Sequence, residues 1–371
     1  MKISYIVLKD MPLGGGIEKY TEEVGTRLVK RGHDVTVYTM NHYSAGHGSY
    51  NGMKILPVPA IKSKSFEKIS ASFIATLKYC LSERSDIIHF HAFGPAMFSF
   101  IPRLLNHKVV VQGHGIEWKR SRFNLAGRLF LKLTEVPSIK FPHVLTVVSR
   151  TQQQYIKEKY KRDSIYIPTG VNTPQIEPPD LIRKYRLLGN DYILFAARLV
   201  QEKGAHYLIK AYNMLKTNMK LVIAGDAPHE EIYKAKLYEL ANENKKIIFT
   251  GFVTGKLLHE LFSNCYAFVL PSEIEGLPTA LLEAMSYGNC CLVSDIPENL
   301  EALNGLGYCF KNKDVGDLAI KLDFLLNNRQ NAGQFRKSAK AYVIDNYSWD
   351  DISLQFESLY KNLLNSSEWG Y

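Results

Sequence analysis

The sequence predicts an α/β fold made of two doubly wound, Rossmann-like parallel-sheet domains facing each other across a cleft. Three observations predict it. Short apolar runs alternate with amphipathic helical stretches; the alternation halts at a proline- and glycine-rich segment and restarts; and 371 residues suffice for two ordinary cores.

In chain order, Ile3–Leu8, Asp34–Thr39, Ile87–Phe90, Lys108–Gln112 and Val144–Val148 read as buried parallel strands, because they are brief, β-branched and apolar. Between the first two lies a helix over Glu18–Arg31, with Tyr20, Val24 and Leu28 four apart and Gly32 as its stop. The pattern resumes with Tyr192–Ala196, Lys220–Ile223, Ile247–Thr250, Ala267–Leu270 and Cys290–Val293. Pro168, Pro174, Pro178, Pro179 and two glycines mark the break between the halves. The domains are therefore expected at 1–172 and 191–348, with a linker at 173–190 and a terminal helix within 349–371. Ligands of such sheets bind beyond the carboxyl ends of strands, so the residues that follow strands carry the information.

Composition narrows the partners. No apolar run reaches the ~18 residues of a membrane span, and Ile3–Leu8 is too short for the core of a signal peptide. Cys80, Cys265, Cys290, Cys291 and Cys309 form no CxxC pair and have no nearby histidine at zinc spacing, which reads as reduced structural thiols in a cytoplasmic protein. The net charge of +10 is uneven: residues 1–175 hold 25 Lys and Arg against 12 Asp and Glu, and the remainder 21 against 24. A basic first half suits an anionic partner such as a membrane surface or a lipid-linked phosphate; a solvated basic face is the plainer alternative.

Several motifs follow strands. Gly14-Gly15-Gly16-Ile17-Glu18 opens a helix after the first strand, where backbone can approach an anion, or simply turn tightly. Lys19 stands where a dinucleotide fingerprint needs glycine, and Gly255-Lys256-Leu257 is no phosphate loop of the Walker kind, so neither cofactor class is expected. His89-Phe90-His91 could be half of a metal site, but the sequence offers no HExxH or Asp-x-Asp to complete it. His114 lies between Gly113 and Gly115 past a strand, where it could bond a sugar hydroxyl or be satisfied within its turn. Trp118, Lys119, Arg120, Arg122, Phe123, Arg128, Phe130 and Lys132 mix bases with aromatics, which suits anionic headgroups, and no RNA-binding module is recognisable.

In the second half, Arg198 and Lys203 follow a strand with Gly204, and two such cations can neutralise a diphosphate without metal. Pro271 to Met285 then runs from a strand end into a helix near Pro278. The Gly276–Thr279 amides can face a ligand there, and Glu275 and Glu283 can accept hydrogen bonds from vicinal diols.

Taken in order, these residues resemble the retaining glycosyltransferases of family 4, which have the GT-B fold. The likeness rests on Gly14–Gly16 with Glu18, Gly32-His33, His89–His91, Arg198, Lys203-Gly204, Ala224-Gly225-Asp226, Gly251 and the E-x7-E pattern of Glu275 and Glu283. It implies that Arg198 and Lys203 hold the donor diphosphate, Glu283 the ribose and Glu275 the transferred sugar, with Leu277, Pro278 and Thr279 beside them. It further implies that Gly225, Gly251, Phe252 and Val253 border the nucleotide, that His114 lies near the donor sugar, and that Gly15 and Gly16 approach phosphates and acceptor. Glu18, His91, Trp118, Lys119, Arg120 and Arg122 fall on the acceptor or membrane side. The terminal helix would cross back to the first domain.

The resemblance implies metal-independent transfer of a hexose-type sugar from a nucleoside-diphosphate sugar, with retention and no resident cofactor. The acceptor would be a glycan or a polyprenyl or other lipid-linked molecule in polysaccharide or lipopolysaccharide assembly. The enzyme would be cytoplasmic and peripheral on the inner face of the membrane, as a monomer or weak homo-oligomer, with no nucleic-acid partner. A nucleotide-sugar 2-epimerase of the same architecture, or an inactive membrane-associated scaffold, are the alternatives. Departures are Ile167 to Asn172, where relatives often carry Asn-Gly-Val-Asp, and Ala227 after Asp226.

Overall fold

The computed structural model describes residues 1–11, 15–43, 48–63, 66–81, 85–119, 124–228, 230–242 and 244–365. They form two compact units: Met1–Gly170 with Trp349–Tyr371, and Val171–Ser348.

Unit 1 carries eight strands: β1 (Lys2–Leu8), β2 (Asp34–Met40), β3 (Ser49–Tyr50), β4 (Met53–Val58), β5 (Ile87–His91), β6 (Lys108–Gly113), β7 (Val144–Val147) and β8 (Ile165–Tyr166). Their order in the sheet is β3-β4-β2-β1-β5-β6-β7-β8. All neighbours pair parallel except β3 with β4. Every residue of β5 and β7 is buried, as helices on both faces require of a central parallel strand. The chain winds from β1 outward to β4 and then returns to β5, so the topological switch lies between β1 and β5.

The helix after β1 spans Gly16–Lys30 and ends where Gly32 takes φ +82°, a conformation glycine adopts without steric cost. The hairpin of β3 and β4 was not foreseen. Asn51 and Gly52 both have positive φ and join paired Tyr50 and Met53, which is the two-residue hairpin turn that an Asn-Gly dipeptide favours. The terminal helix, Trp349–Asn365, packs on Gly16–Lys30 within this unit. Its Asp350 accepts from Arg27 Nε at 2.7 Å, and Ser353 Oγ accepts from Arg31 Nη1 at 2.9 Å.

Unit 2 has β9 (Tyr192–Ala196), β10 (Lys220–Ala224), β11 (Ile247–Gly251), β12 (Ala267–Leu270), β13 (Cys290–Ser294) and β14 (Tyr308–Phe310) in the order β11-β10-β9-β12-β13-β14. All of its neighbours pair parallel. Its switch point falls between β9 and β12. The core is aliphatic and aromatic, with Ile193, Phe195, Leu221, Ile223, Val269 and Leu292 fully buried.

The segment expected as a linker, 173–190, is instead built into unit 2. Asp180 N and Ile182 N donate to Glu260 Oε2 at 2.9 and 3.1 Å, Glu177 N donates to Ser263 Oγ at 3.0 Å, and Ile182 and Leu187 are fully buried. A carboxylate as buried as that of Glu260 needs such donors, and the prolines supply the turns that deliver them. The chain therefore passes between units at 170/171 and again at 348/349. Cys265, Cys290 and Cys291 are buried; loss of water pushes the Cys290 thiol up to about 12, which makes it a packing group and not a nucleophile.

Candidate functional site

In unit 2 the two strands that flank the switch point each end in a loop bearing predicted residues. After β9 come Arg198 and Lys203, and after β12 come Glu275 to Glu283. The loops are stapled together. Glu273 N donates to Glu202 O at 2.8 Å, and Lys203 Nζ reaches both oxygens of Glu275 at 2.6 and 2.7 Å. Both side chains of this pair are largely buried, so the charges meet in a poorly screened setting. Gly204 makes the approach possible: its φ is +72°, and a Cβ there would stand 2.0 Å from the Pro271 carbonyl oxygen.

Gly225 does the same for the neighbouring loop. At φ +146° a Cβ would lie 1.9 Å from Ala197 O, while Gly225 N donates to Gly251 O at 2.9 Å and Leu199 N to Asp226 O at 3.3 Å. The ends of β9, β10 and β11 are thus tied into one edge, with Arg198 exposed upon it. Phe252 is also exposed and Val253 half-buried, so an apolar ring borders that edge. A hydrogen bond from Lys234, helped by the Ala227 amide, lowers the Asp226 carboxyl below its ordinary value.

The helix after β12 runs Thr279–Ser286, with Pro278 at its N-cap and not within its first turn. Leu277 and Pro278 are buried, Gly276 is half-buried, and Thr279 and Glu283 are exposed. A cationic loop and a carboxylate loop therefore share the carboxyl end of one sheet, an arrangement able to bind an anion and a polyol side by side. The sequence reading missed the brace behind Glu275: Tyr207 donates to Glu273 Oε1 at 2.9 Å, and Lys313 pairs with Glu273 Oε2 at 2.9 Å. Only the proximity of Glu273 to Glu275 in sequence hinted at it.

Unit 1 corrects several expectations. Gly14 lies outside the described residues. Glu18, expected to face an acceptor, is buried, and its carboxylate folds back over the turn: it accepts from Lys9 N at 3.3 Å and sits where a Cβ on Gly15 would go. The carboxylate satisfies the turn that an external anion was expected to meet. Gly16 is exposed and opens the helix.

His91, also expected on the acceptor or membrane side, is 1% exposed. Its ring packs against Tyr5 at 5.3 Å and His89 at 4.7 Å between centroids, and Tyr5 and His89 also touch at 5.3 Å, because all of β5 is buried. His89 in turn bonds Tyr360 of the terminal helix, Nδ1 to Oη, at 2.6 Å. Burial pushes the pKa of His89 far down and that of His91 to about 3, so both rings are neutral at ordinary pH. Among the described residues, no group of three or more His, Cys, Asp or Glu side chains converges as metal ligands do. His114 is half-buried and accessible in part, with His91 Nδ1 3.0 Å from its Nε2 and the Tyr20 ring set edge-on to it at 5.2 Å.

The basic and aromatic stretch divides. Arg120 and Arg122 lie outside the described residues. Trp118 is half-buried; its indole donates to Tyr155 Oη at 3.3 Å and Lys132 Nζ stands 4.3 Å above the ring, so it braces the fold and does not project from it. Lys119 is exposed. The following helix, Leu125–Lys140, is capped by the Asn124 side chain and exposes Leu125, Leu129, Leu133 and Val136 along one stripe. Exposed Lys132 and Lys140 lie on the same helix. These leucines, which the sequence reading passed over, are its outward apolar face. No helix among the described residues is long and apolar enough to cross a membrane.

Comparison with known proteins identifies the family of each half of the chain. Residues 14–175 match the family described as Glycosyltransferase Family 4, and residues 180–342 that described as Glycosyl transferases group 1. An uncharacterised glycosyltransferase of Methanocaldococcus jannaschii is 26% identical over 97% of this chain and 98% of its own. The O-antigen chain mannosyltransferase C of Escherichia coli is 21% identical over 95% of each. The fold resembles that of Anabaena HepE crystallised with UDP and glucose, with a TM-score of 0.81 at 17% identity, covering 98% of this chain and 100% of that one. With the two family matches in succession and the charged loops at the switch point of the second sheet, the chain belongs to the GT-B glycosyltransferases, family 4 in its first half and group 1 in its second.

Proposed function

We propose that this protein transfers a hexose-type sugar from a nucleoside-diphosphate sugar to a glycan or lipid-linked acceptor in cell-surface polysaccharide or lipopolysaccharide assembly, with retention of configuration and without a metal. The observation that carries the reading is the union of the Arg198–Lys203 loop with the Glu275–Glu283 loop at the carboxyl ends of β9 and β12. As the glycosidic bond breaks, negative charge grows on the leaving diphosphate. Arg198 and Lys203 are fixed cations suited to that charge. Glu275 would accept from hydroxyls of the sugar and Glu283 from the ribose, with Gly225, Gly251, Phe252 and Val253 along the nucleotide. Donor binding would draw Lys203 partly from Glu275 toward phosphate, releasing a carboxylate for the sugar. A name such as O-antigen chain mannosyltransferase among relatives of matching length supports the polysaccharide setting.

Glu275→Ala and Lys203→Ala should each lower turnover by roughly a hundredfold or more, with the circular dichroism spectrum retained. Near-normal turnover in both variants sinks the donor-site assignment. A thermal-shift screen of UDP, GDP and TDP identifies the nucleotide, since a ligand of the native state raises its melting temperature.

The acceptor side is read as peripheral on the inner face of the cell membrane, in the cytoplasm. The +13 balance of residues 1–175 and the exposed leucine stripe of Leu125–Lys140 support this. Flotation with phosphatidylglycerol vesicles should show binding that weakens as salt rises and is lost in Leu129→Asp with Leu133→Asp. Binding absent at low salt, or indifferent to the double substitution, contradicts it.

A further inference from the structure

Within unit 2 the loops after β9, β12 and β14 meet over two carboxylates that are held in different ways. Glu273 and Glu275 stand two residues apart beyond β12, with side chains only 13% and 7% exposed. Opposite them, Lys203 and Tyr207 stand four apart, where the turn Gln201–Lys203 passes through Gly204 into the helix Ala205–Asn213. The two segments are joined in a row. Lys203 Nζ meets Glu275 Oε1 and Oε2 at 2.6 and 2.7 Å, Glu273 N donates to Glu202 O at 2.8 Å, and Tyr207 Oη donates to Glu273 Oε1 at 2.9 Å. Burial, and then the bond to Glu273, push the Tyr207 hydroxyl up to about 12, so it keeps the proton that it donates. Its ring is fixed against His206, 3.9 Å between centroids. Glu273 Oε2 is taken by Lys313 Nζ at 2.9 Å. Lys313 reaches it from the loop after β14 with φ +65°, a conformation that an L side chain adopts at a cost, and Asn312 N fastens that loop to Asp295 Oδ1 at 2.8 Å.

A lysine ammonium is a point charge on a flexible four-carbon stem, so it does not by itself choose between two carboxylates two residues apart. Glu273 lies within its range, because the Glu273 amide is bonded to the residue before Lys203. What separates the two is that each oxygen of Glu273 has a donor from elsewhere, one from the helix Ala205–Asn213 and one from the loop after β14. We propose that Tyr207 and Lys313 are positioning residues that occupy Glu273 and so direct Lys203 to Glu275 alone. The catalytic consequence rests on the reading of Lys203 as a ligand of the donor diphosphate and Glu275 as a ligand of its sugar. When Lys203 turns to phosphate, the loop stays anchored through Glu273, and Glu275 is the carboxylate that is set free. Were Glu273 also free, two carboxylates would compete with the diphosphate for one ammonium, and the donor would bind less tightly. Nothing in the sequence links Lys313 to Glu273 and Tyr207; the sheet order brings their loops together.

The test observes the ammonium directly. The full chain labelled with 15N-lysine is examined at low temperature by proton–nitrogen correlation of its ammonium groups, the Lys203 signal being identified by its loss in Lys203→Arg. That signal should stand apart from those of exposed lysines and join them in Glu275→Gln. Tyr207→Phe combined with Lys313→Met, which frees Glu273, should displace it, whereas Lys313→Arg, which keeps the cation, should not. Adding Glu273→Gln to the double variant removes the competing carboxylate and should return the signal to its original position. A brace that only stiffened the loop would give no such return. A Lys203 signal that never stands apart, or that the double substitution leaves in place, overturns the proposal. So does one that Glu273→Gln fails to restore in a protein whose circular dichroism shows it folded. UDP, GDP and TDP are then added to the unsubstituted chain, where the one that binds should shift the signal. Indifference to all three would count against the proposed function and not against the pairing of Lys203 with Glu275.

Discussion

The loops beyond the strands of unit 2 and those of unit 1 solve different problems. In unit 2 the candidate site is built from formal charges that follow two adjacent strands directly, and glycines with positive φ let the loops touch. In unit 1 the polar cluster is built from buried rings and hydroxyls gathered from β1, β5, β6, the first helix and the last. A charged site is read from single positions at strand ends. A buried polar cluster exists only once distant segments have been packed, because its members differ from core residues in nothing but their neighbours.

The largest effect that would separate the two regions is the response to acid. His89 and His91 have folded-state pKa values below the unfolded value of about 6.5, so the unfolded chain binds more protons. Their contribution to stability is complete above about pH 6.5 and declines as pH falls toward about 3. At pH 5 His91 alone should have cost unit 1 about 2 kcal/mol, at about 1.4 kcal/mol per pH unit, with His89 acting in the same direction. Among the described residues of unit 2, His206 is such a histidine, pushed by burial to about 4. Trp118 and Trp349, the tryptophans among the described residues, lie in unit 1. Urea midpoints followed by tryptophan fluorescence should therefore drop faster between pH 7 and pH 5 than those followed by circular dichroism. Equal shifts would erase the distinction between the regions.

Glycine substitutions should divide the units next. Gly204→Ala forces a side chain into positive φ and onto the Pro271 carbonyl, which should cost about 2–4 kcal/mol. Gly16→Ala meets nothing within 4 Å at the start of a helix, so it should be neutral or stabilising by up to about 1 kcal/mol. Chemical denaturation of both variants gives the comparison, and a costly Gly16→Ala would show that the first glycine turn is also sterically obligatory. The smallest effect is expected of Tyr360→Phe. It removes the hydroxyl that meets His89 Nδ1 and should cost about 1–2 kcal/mol in the fluorescence-detected transition. No change would mean that the ring stack alone holds the histidines.

The same contrast explains what could be read in advance. The parallel strands of both cores were legible because their β-branched runs are buried on both faces, and Arg198, Lys203, Glu275 and Glu283 because strand ends in such sheets are where ligands bind. The edge strands β3, β8 and β14, and β4 beside β3, were not. They are short or half-exposed, and β4 contains Pro57, although Asn51-Gly52 signalled the hairpin. The prolines of 173–190 suggested a linker because composition cannot show that Glu260 gathers their neighbours' amides. Glu18, His91 and Trp118 were placed on the acceptor or membrane side because residue type, and not burial, is visible in a sequence; each has a hydrogen-bond partner inside its unit. The leucines of Leu125–Lys140 were passed over for the converse reason, since apolar residues are presumed inward until a structure shows them exposed.

The division of the chain at 170/171 and 348/349 bears on how the protein is made. Unit 2 is one continuous segment, whereas unit 1 needs the final helix, whose Tyr360 closes over His89. Domains ordinarily fold in the order in which they leave the ribosome. Here the first half emerges early and must wait with the β5 histidines unsealed, while the second half, synthesised later, completes itself first. The helix that finishes the core of the first unit is translated only after the whole second unit, so a product truncated before Trp349 would contain a whole second unit and an open first one.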